Sequence, residues 1–157
     1  MMEITLRKAQ LTDVEAIRQL FFETITEVNS RDYSPDQISI WSASAGHSLK
    51  WMERVIKHYF IVAVAQKKIV GFAALTGSGD FDCLYVHKDF QRNGVGQLLL
   101  NHIEQEATKR ALSLITSDVS ITAKPFFERN GYEQVKINRK KRNGMVFITY
   151  AMEKKNG

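Results

Sequence analysis

The residues of this chain best placed to do chemistry form one unbroken run, Leu84-Tyr85-Val86-His87-Lys88-Asp89-Phe90-Gln91-Arg92-Asn93-Gly94-Val95-Gly96. Its first residues read as a strand and its last open a helix. The turn between them therefore presents free backbone N–H groups at the positive end of a helix dipole. Gly94 and Gly96 remove the side chains that would keep an anion away from those groups. The expected chemistry is the holding of a phosphate. Two common phosphate motifs do not match: a P-loop requires Lys-Ser/Thr after its second glycine, where Gln97-Leu98 stand, and a dinucleotide fingerprint requires three glycines. A purely structural helix start would account for two glycines equally well.

Carboxylates precede the run. In Asp80-Phe81-Asp82-Cys83-Leu84-Tyr85-Val86, strand alternation predicts Asp80, Asp82, Leu84 and Val86 on one face and Phe81, Cys83 and Tyr85 on the other. His47, His58, His87 and His102 show no metal-ligand spacing with Cys83, so no metal site is expected. His87 flanks this segment and could serve as a base, although a loop histidine is more often merely solvated, and Cys83 reads as a packed thiol without a basic neighbour to activate it.

These residues need elements to hold them. Ile4-Thr5-Leu6-Arg7 reads as a short strand, and Thr12-Asp13-Val14-Glu15 as a capping box that opens a helix. Val14, Ile17, Phe21, Ile25 and Val28 then repeat at helical spacing to about Asn29. Ser34 as N-cap with Pro35 at the first helical position starts a second helix, and Leu49 to Ile56 suggests a third. Phe60 to Ala65 and Ile69 to Leu75 are β-branched and small-apolar runs around Gln66-Lys67-Lys68, a hairpin pattern, and Gly77-Ser78-Gly79 turns the chain into the strand of Asp82. Beyond Gly96 a helix reaches to about Arg110, with Val95, Leu99, Ile103 and Ala107 on one face. Ser113 to Val119 is a strand, and Thr122 to Asn130 a short helix closed by Gly131. Strands around Tyr132 to Ile137 and Met145 to Met152 follow. The order β-α-α-α-β-β-β-α-β-α-β-β, with no internal repeat or linker, predicts one α/β domain over 1–157, a mixed sheet with helices on both faces.

Composition narrows the function classes. The chain has 157 residues, 44% hydrophobic and 25% charged, with 9 Gly and 2 Pro, which excludes a disordered or collagen-like chain. A single cysteine cannot close an intramolecular disulfide, and no apolar run is long enough to span a bilayer, so a cytoplasmic protein without membrane association is expected. Lys136, Arg139, Lys140, Lys141 and Arg142 account for the whole net charge of +5, because the remaining 17 bases and 17 acids cancel. The run ends in Asn143-Gly144, a hairpin-turn dipeptide, and lacks the interleaved aromatics of a nucleic-acid surface. A solvated turn is the expectation, nucleic acid is not an expected partner, and a local patch for an acidic partner or phosphate is the alternative.

Gln91-Arg92-Asn93-Gly94-Val95-Gly96, following a strand that ends in Val86, resembles the Gln/Arg-x-x-Gly-x-Gly/Ala motif of the GNAT superfamily of acyl-CoA-dependent N-acyltransferases. Ile4-Thr5-Leu6-Arg7-Lys8-Ala9 with Asp13 is similar to that family's first strand and helix. Ala123-Lys124-Pro125-Phe126-Phe127-Glu128-Arg129-Asn130-Gly131-Tyr132 is similar to its late helix-to-strand motif. The segments Asp32 to Trp41 and Ser120 to Phe127 resemble a small bacterial subgroup, the YafP-type acetyltransferases.

The resemblance implies a mostly antiparallel GNAT-like sheet and acetyl-CoA as cosubstrate. Gln91, Arg92, Asn93, Gly94, Val95, Gly96 and Gln97 would take the pyrophosphate. Leu84, Tyr85 and Val86 would pair with the pantetheine arm, whose amides can join a strand edge. Ala123, Phe126 and Phe127 would complete the cofactor site, with Ser120 where the family has asparagine. The acceptor would be an amine of unknown identity, against Tyr33 and Trp41, and the protein a monomer or homodimer. An alkyl ammonium, with a pKa of about 10.4, must lose a proton before it attacks, so a base is needed. Asp82 is the first expectation, Asp80 the second and Asp118 the third, with a strand N–H, that of Leu84, for the developing oxyanion. The family's acid is a tyrosine where Phe127 stands, which leaves Tyr132, Tyr85, Ser120 or water. Phe127 also raises an alternative, an acyl-CoA-binding sensor without catalysis.

Overall fold

A computed structural model of the chain describes residues 3–156. Strands β1 (Thr5–Lys8), β2 (Tyr59–Ala65), β3 (Lys68–Leu75) and β4 (Phe81–Val86) form an antiparallel sheet in that order. The β2–β3 turn gives Gln66 and Lys67 φ of 53° and 62°, as a two-residue turn matched to strand twist requires. A second antiparallel sheet has the order β5 (Leu114–Ser120), β7 (Met145–Lys155), β6 (Glu133–Arg142). The two sheets meet where β4 and β5 run parallel, at the single bridge of Asp80 with Thr116.

Between the strands lie helices α1 (Val14–Glu27), α2 (Pro35–Ala43), α3 (Ser48–Lys57), α4 (Val95–Lys109) and α5 (Lys124–Arg129). The expected element order is thus present, and two expected details are not. Thr12 and Glu15 do not cap α1: a short 3-10 turn precedes it, where Asp13 accepts Gln10 N–H at 2.8 Å and both outer nitrogens of Arg7 at 2.8 and 3.0 Å, while Glu15 holds Arg18. A carboxylate that reaches back and also neutralises a guanidinium satisfies more donors than a threonine hydroxyl. Ser34 caps α2 as expected, its hydroxyl accepting Gln37 N–H while Gln37 Oε1 accepts Ser34 N–H.

The second detail concerns β4. Phe81 pairs with Leu75 and Cys83 with Ala74, so Asp82 is an extra residue with no partner on β3. This bulge breaks the alternation. Phe81 packs with Leu99, Ile103 and Ile115 on the α4 side, whereas Cys83 and Tyr85 pack with Phe21 and Trp51 on the α1 and α3 side. Phe81 therefore does not share a face with Cys83 and Tyr85. Buried apolar residues fill both faces, which makes a helix–sheet–helix sandwich. At Gly71 an added Cβ would lie 2.9 Å from Val95 Cγ1, 3.0 Å from Leu99 Cδ1 and 3.1 Å from the carbonyl oxygen of Tyr85. Only glycine lets the first turn of α4 sit this close to β3.

Candidate active site

Beyond the Asp80–Thr116 bridge, β4 and β5 separate. Thr116 N–H donates to Gly79 O at 3.1 Å and the Ser117 hydroxyl to Phe81 O at 2.8 Å, and past these contacts no hydrogen bond joins the two strands among the described residues. The wedge opens into a cleft of about 630 Å³. His87 N–H, at the end of β4, donates to Val70 O on β3, so by alternation the backbone groups of Leu84 and Val86 point the other way, into the wedge. Val86 C=O confirms that direction, accepting from Thr24 Oγ1 at 3.2 Å and from Gln91 Nε2 at 2.7 Å.

The Gln91 contact ties the following turn to the strand. Arg92 and Gly94 take φ of 63° and 80°, and α4 begins at once, with Leu98 N–H the first to find a helical acceptor, at Gly94 O. Every backbone N–H from Arg92 to Gln97 lacks an acceptor among the described residues. A Cβ on Gly94 would meet nothing within 4 Å, and one on Gly96 only Phe126 and Val86 at 3.6 Å, so the space over these donors belongs to the cleft. Unpaired donors at a helix start, opened by glycines, fit a pyrophosphate.

Of the sequence-predicted cofactor residues, Leu84, Tyr85, Val86, Gln91, Arg92, Gly94, Val95, Gly96, Gln97, Ser120, Ala123, Phe126 and Phe127 line this cleft. Asn93 does not; its side chain donates to Gln91 O and stiffens the turn. Ser120 accepts the N–H of Ala123 at 3.1 Å and so starts the turn before α5. Phe127 packs edge-on against Phe81 and Tyr132.

The expected catalytic residues separate. Asp82 lines the cleft, and its Oδ2 accepts Arg54 Nε at 3.1 Å and Nη2 at 2.9 Å, while Arg54 itself stacks 4.3 Å over the Trp51 ring. The bulge aims Asp82 at α3 and leaves Oδ1 without a contact from Arg54. Asp80 is not at the cleft: it accepts the Thr116 hydroxyl at 3.0 Å, and burial raises its pKa above the carboxylate range. Tyr132 is not there either. Its hydroxyl donates to Glu104 on α4 at 2.9 Å, and burial followed by the Glu104 charge pushes its pKa up. A buried phenol beside a carboxylate is a poor proton donor, which removes Tyr132 as the acid. Asp118 lines the cleft but is held by Lys140 and Asn138.

Tyr33 and Trp41 both line the cleft, packed edge to face with centroids 5.1 Å apart. The Tyr33 hydroxyl accepts Ile121 N–H and donates to Ile148 O, so it joins three segments. Tyr85 packs on Phe21 and Phe72, and burial raises its phenol pKa. Burial pushes the Cys83 thiol up to about 12 even with Arg54 beside it, a basic neighbour not expected from the sequence. His87 is buried rather than solvated, its Nδ1 accepting Asp89 N–H at 3.0 Å.

Sequence reasoning missed Arg31 and Arg54, and gave a local anion patch only as the alternative for Lys140 and Arg142. The last two belong to the run read as a solvated turn, yet they line the cleft. Their signal was the alternation Asn138, Lys140, Arg142 along β6, which sends one row of side chains inward. Arg54 had a weaker signal, one turn beyond Trp51 on the edge of an apolar helix face. Among the described residues no group of three or more His, Cys, Asp or Glu side chains could hold a metal ion, and no helix is long and apolar enough to cross a membrane.

A parting strand pair, an anion-binding helix start after the fourth strand and a sheet covered on both faces define an acyl-CoA-dependent acyltransferase. The sequence matches the acetyltransferase (GNAT) domain family over residues 29–154, and the chain belongs to that family. It is 34% identical over 155 residues to the uncharacterized N-acetyltransferase YafP of Escherichia coli K12, covering 99% of this chain and 98% of that protein. A GCN5-related N-acetyltransferase from Rhodopseudomonas palustris superposes with a TM-score of 0.94 at 30% identity, covering 99% and 98% of the two chains. The PaiA N-acetyltransferase of Thermoplasma acidophilum, solved with coenzyme A, shares the fold with a TM-score of 0.80 at 20% identity, over 98% and 99%. The chain is an acetyl-CoA-dependent acetyltransferase.

Proposed function

We propose that this single domain, 1–157, is a cytoplasmic N-acetyltransferase that acetylates a primary amine of a small molecule or peptide by direct attack within a ternary complex. The observation that carries this reading is the row of unpaired N–H groups from Arg92 to Gln97, open to the same cleft as the free edge of β4. In the proposed complex Arg92 to Gln97 hold the pyrophosphate, and the backbone of Leu84 and Val86 aligns the amide-bearing arm as a neighbouring strand would. Ala123, Phe126 and Phe127 wall the cofactor side.

Bound acetyl-CoA would supply a thioester: the acceptor nitrogen bonds to its carbonyl carbon, the carbon–sulfur bond breaks, sulfur leaves as thiolate with the electron pair, and the second proton of the attacking nitrogen passes to that thiolate, directly or through water. Asp82, through Oδ1, takes the proton that the ammonium must lose, directly or by one water. Arg54 fixes the carboxylate by holding Oδ2. The N–H of Leu84 stabilises charge developing on the carbonyl oxygen, a fixed dipole that need not reorganise. No side chain is assigned as acid, because Phe127 carries no hydroxyl and a thiol of pKa about 8.5 makes a competent leaving group.

Calorimetric titration with acetyl-CoA, joined to a thiol-release assay over a panel of amines and peptides, tests the reading. Gly94→Glu places a carboxylate among the phosphate donors and should weaken acetyl-CoA binding about a hundredfold or more, with an unchanged circular dichroism spectrum. Unchanged affinity in that variant overturns the site. Tight binding without thiol release from any acceptor returns the sensor reading that Phe127 raises.

A further inference from the structure

Five cationic side chains line the cleft, Arg31, Arg92, Arg129, Lys140 and Arg142, and they divide into two groups. Arg92 lies in the phosphate turn. Arg129 precedes Asn130, whose side chain accepts Gln97 Nε2 at 2.8 Å beside the start of α4, so it belongs to the same end. Arg31 and Arg142 stand at the other end. Arg31 closes the turn that leads to Tyr33, and Arg142 ends β6 opposite Met145.

Two hydrogen bonds fasten the segment after that turn to that hairpin, Gln37 Nε2 of α2 to Val146 O at 2.8 Å and the Tyr33 hydroxyl to Ile148 O at 3.3 Å. Arg31 and Arg142 thus line the cleft from two segments that these bonds hold together. The carboxylates that line the cleft are committed, Asp82 to Arg54 and Asp118 to Lys140 and Asn138, while Asp32, next to Arg31 but not lining the cleft, accepts the Thr122 hydroxyl at 2.8 Å. Neither Arg31 nor Arg142 takes part in an ion pair among the described residues. The uncompensated charge facing the acceptor is positive.

We propose that the acceptor is a small amine that also bears an anionic group, a carboxylate or phosphate, received by Arg31 and Arg142; this rests on the acetyltransferase reading above. Guanidinium groups recognise both anions through paired N–H donors. The acceptor's ammonium end lies toward Asp82, and its anion toward the guanidiniums. A diamine would set its second cation against two arginines, and an uncharged tail would leave their charge unanswered.

The test titrates the protein–CoA complex calorimetrically with γ-aminobutyrate, its methyl ester, aminopropyl phosphate, putrescine and an acidic peptide with a free N-terminus, and measures acceptor KM by thiol release. An anionic amine should bind about tenfold tighter than the ester or putrescine. Arg142→Gln and Arg31→Gln should each erase that preference, leave ester binding unchanged and leave acetyl-CoA affinity within about twofold. Tighter binding of the carboxylate or of the phosphate tells which anion the guanidiniums prefer. Equal or better binding of putrescine or the ester, or no binding of either anionic amine, overturns the proposal. So does a loss of acetyl-CoA affinity in the arginine variants, which would give these residues to the cofactor, or a preference for the peptide over every small amine. Failure of the acetyltransferase reading shows itself separately, as absent acetyl-CoA binding by the unaltered protein.

Discussion

At the phosphate end of the cleft, one uninterrupted stretch from Leu84 to Gln97 supplies strand edge, turn and helix start, and the groups that face the ligand are mostly backbone. At the proposed acceptor end, Arg31, Tyr33, Trp41, Asp82, Asp118, Lys140 and Arg142 arrive from segments far apart in sequence, and what they bring to the cleft is side chains. The first end depends on local geometry: a left-handed Gly94, a close approach at Gly71, a Gln91 side chain holding Val86. The second depends on tertiary straps, those of Tyr33, Gln37 and Arg54. A cosubstrate common to a family can be met by a local device, whereas a particular acceptor is met by side chains that can be exchanged without disturbing it.

The largest effect expected from breaking this division is at Asp82. Asp82→Asn keeps the shape and can still accept from Arg54, but it removes the proposed base. We expect kcat to fall about a hundredfold or more while acetyl-CoA affinity stays within about twofold, measured by steady-state thiol release and calorimetry. Parallel losses in both would mean that the two ends do not act separately.

A smaller effect of the opposite kind is expected at Gly71, which touches no ligand. A methyl group there must displace the side chains of Val95 and Leu99 or the Tyr85 carbonyl, all within 3.1 Å. Gly71→Ala should cost about 1–3 kcal/mol in denaturant unfolding. It should weaken acetyl-CoA binding more than it raises acceptor KM, because the shift falls on the first turn of α4. A KM effect confined to the acceptor would contradict the local character of the phosphate end.

The same division explains what was legible in the sequence. Gln91 to Gly96 could be read because a helix start after a strand is a contiguous pattern, and the helices could be read from apolar spacing and from Ser34-Pro35. The bulge could not, since it depends on how β4 registers against β3, and it moved Phe81 to the opposite face and turned Asp82 toward Arg54. Tyr132 looked available until the fold put Glu104 at its hydroxyl, 28 positions away. Lys140 and Arg142 have the composition of a solvated turn, and only the pairing of β6 with β7 brings them to the cleft. Long-range side-chain encounters leave only a faint local trace, such as the alternation Asn138, Lys140, Arg142 along β6.

The smallest effect separates positioning from chemistry within the acceptor end. Burial alone would raise the Asp118 pKa, but the hydrogen bonds it accepts, led by that of Lys140, outweigh burial and hold it below the usual carboxylate range. A carboxyl whose folded pKa lies below its unfolded value of about 3.9 contributes stability above that pH and loses it as the pH falls through the folded value. The pair is partly exposed, 45% for Lys140 and 34% for Asp118, so the contribution is at most about 1 kcal/mol. Asp118→Asn should therefore lower stability slightly at neutral pH, with the difference from the unaltered protein shrinking as the pH falls below the ordinary carboxylate range. Its kcat should stay within about threefold if the proposed base, Asp82 and not Asp118, takes the proton. Denaturant titrations at several pH values, alongside kcat, read both. A loss of kcat equal to that of Asp82→Asn would move the base from β4 to β5, and the bulge would then serve only to seat Arg54.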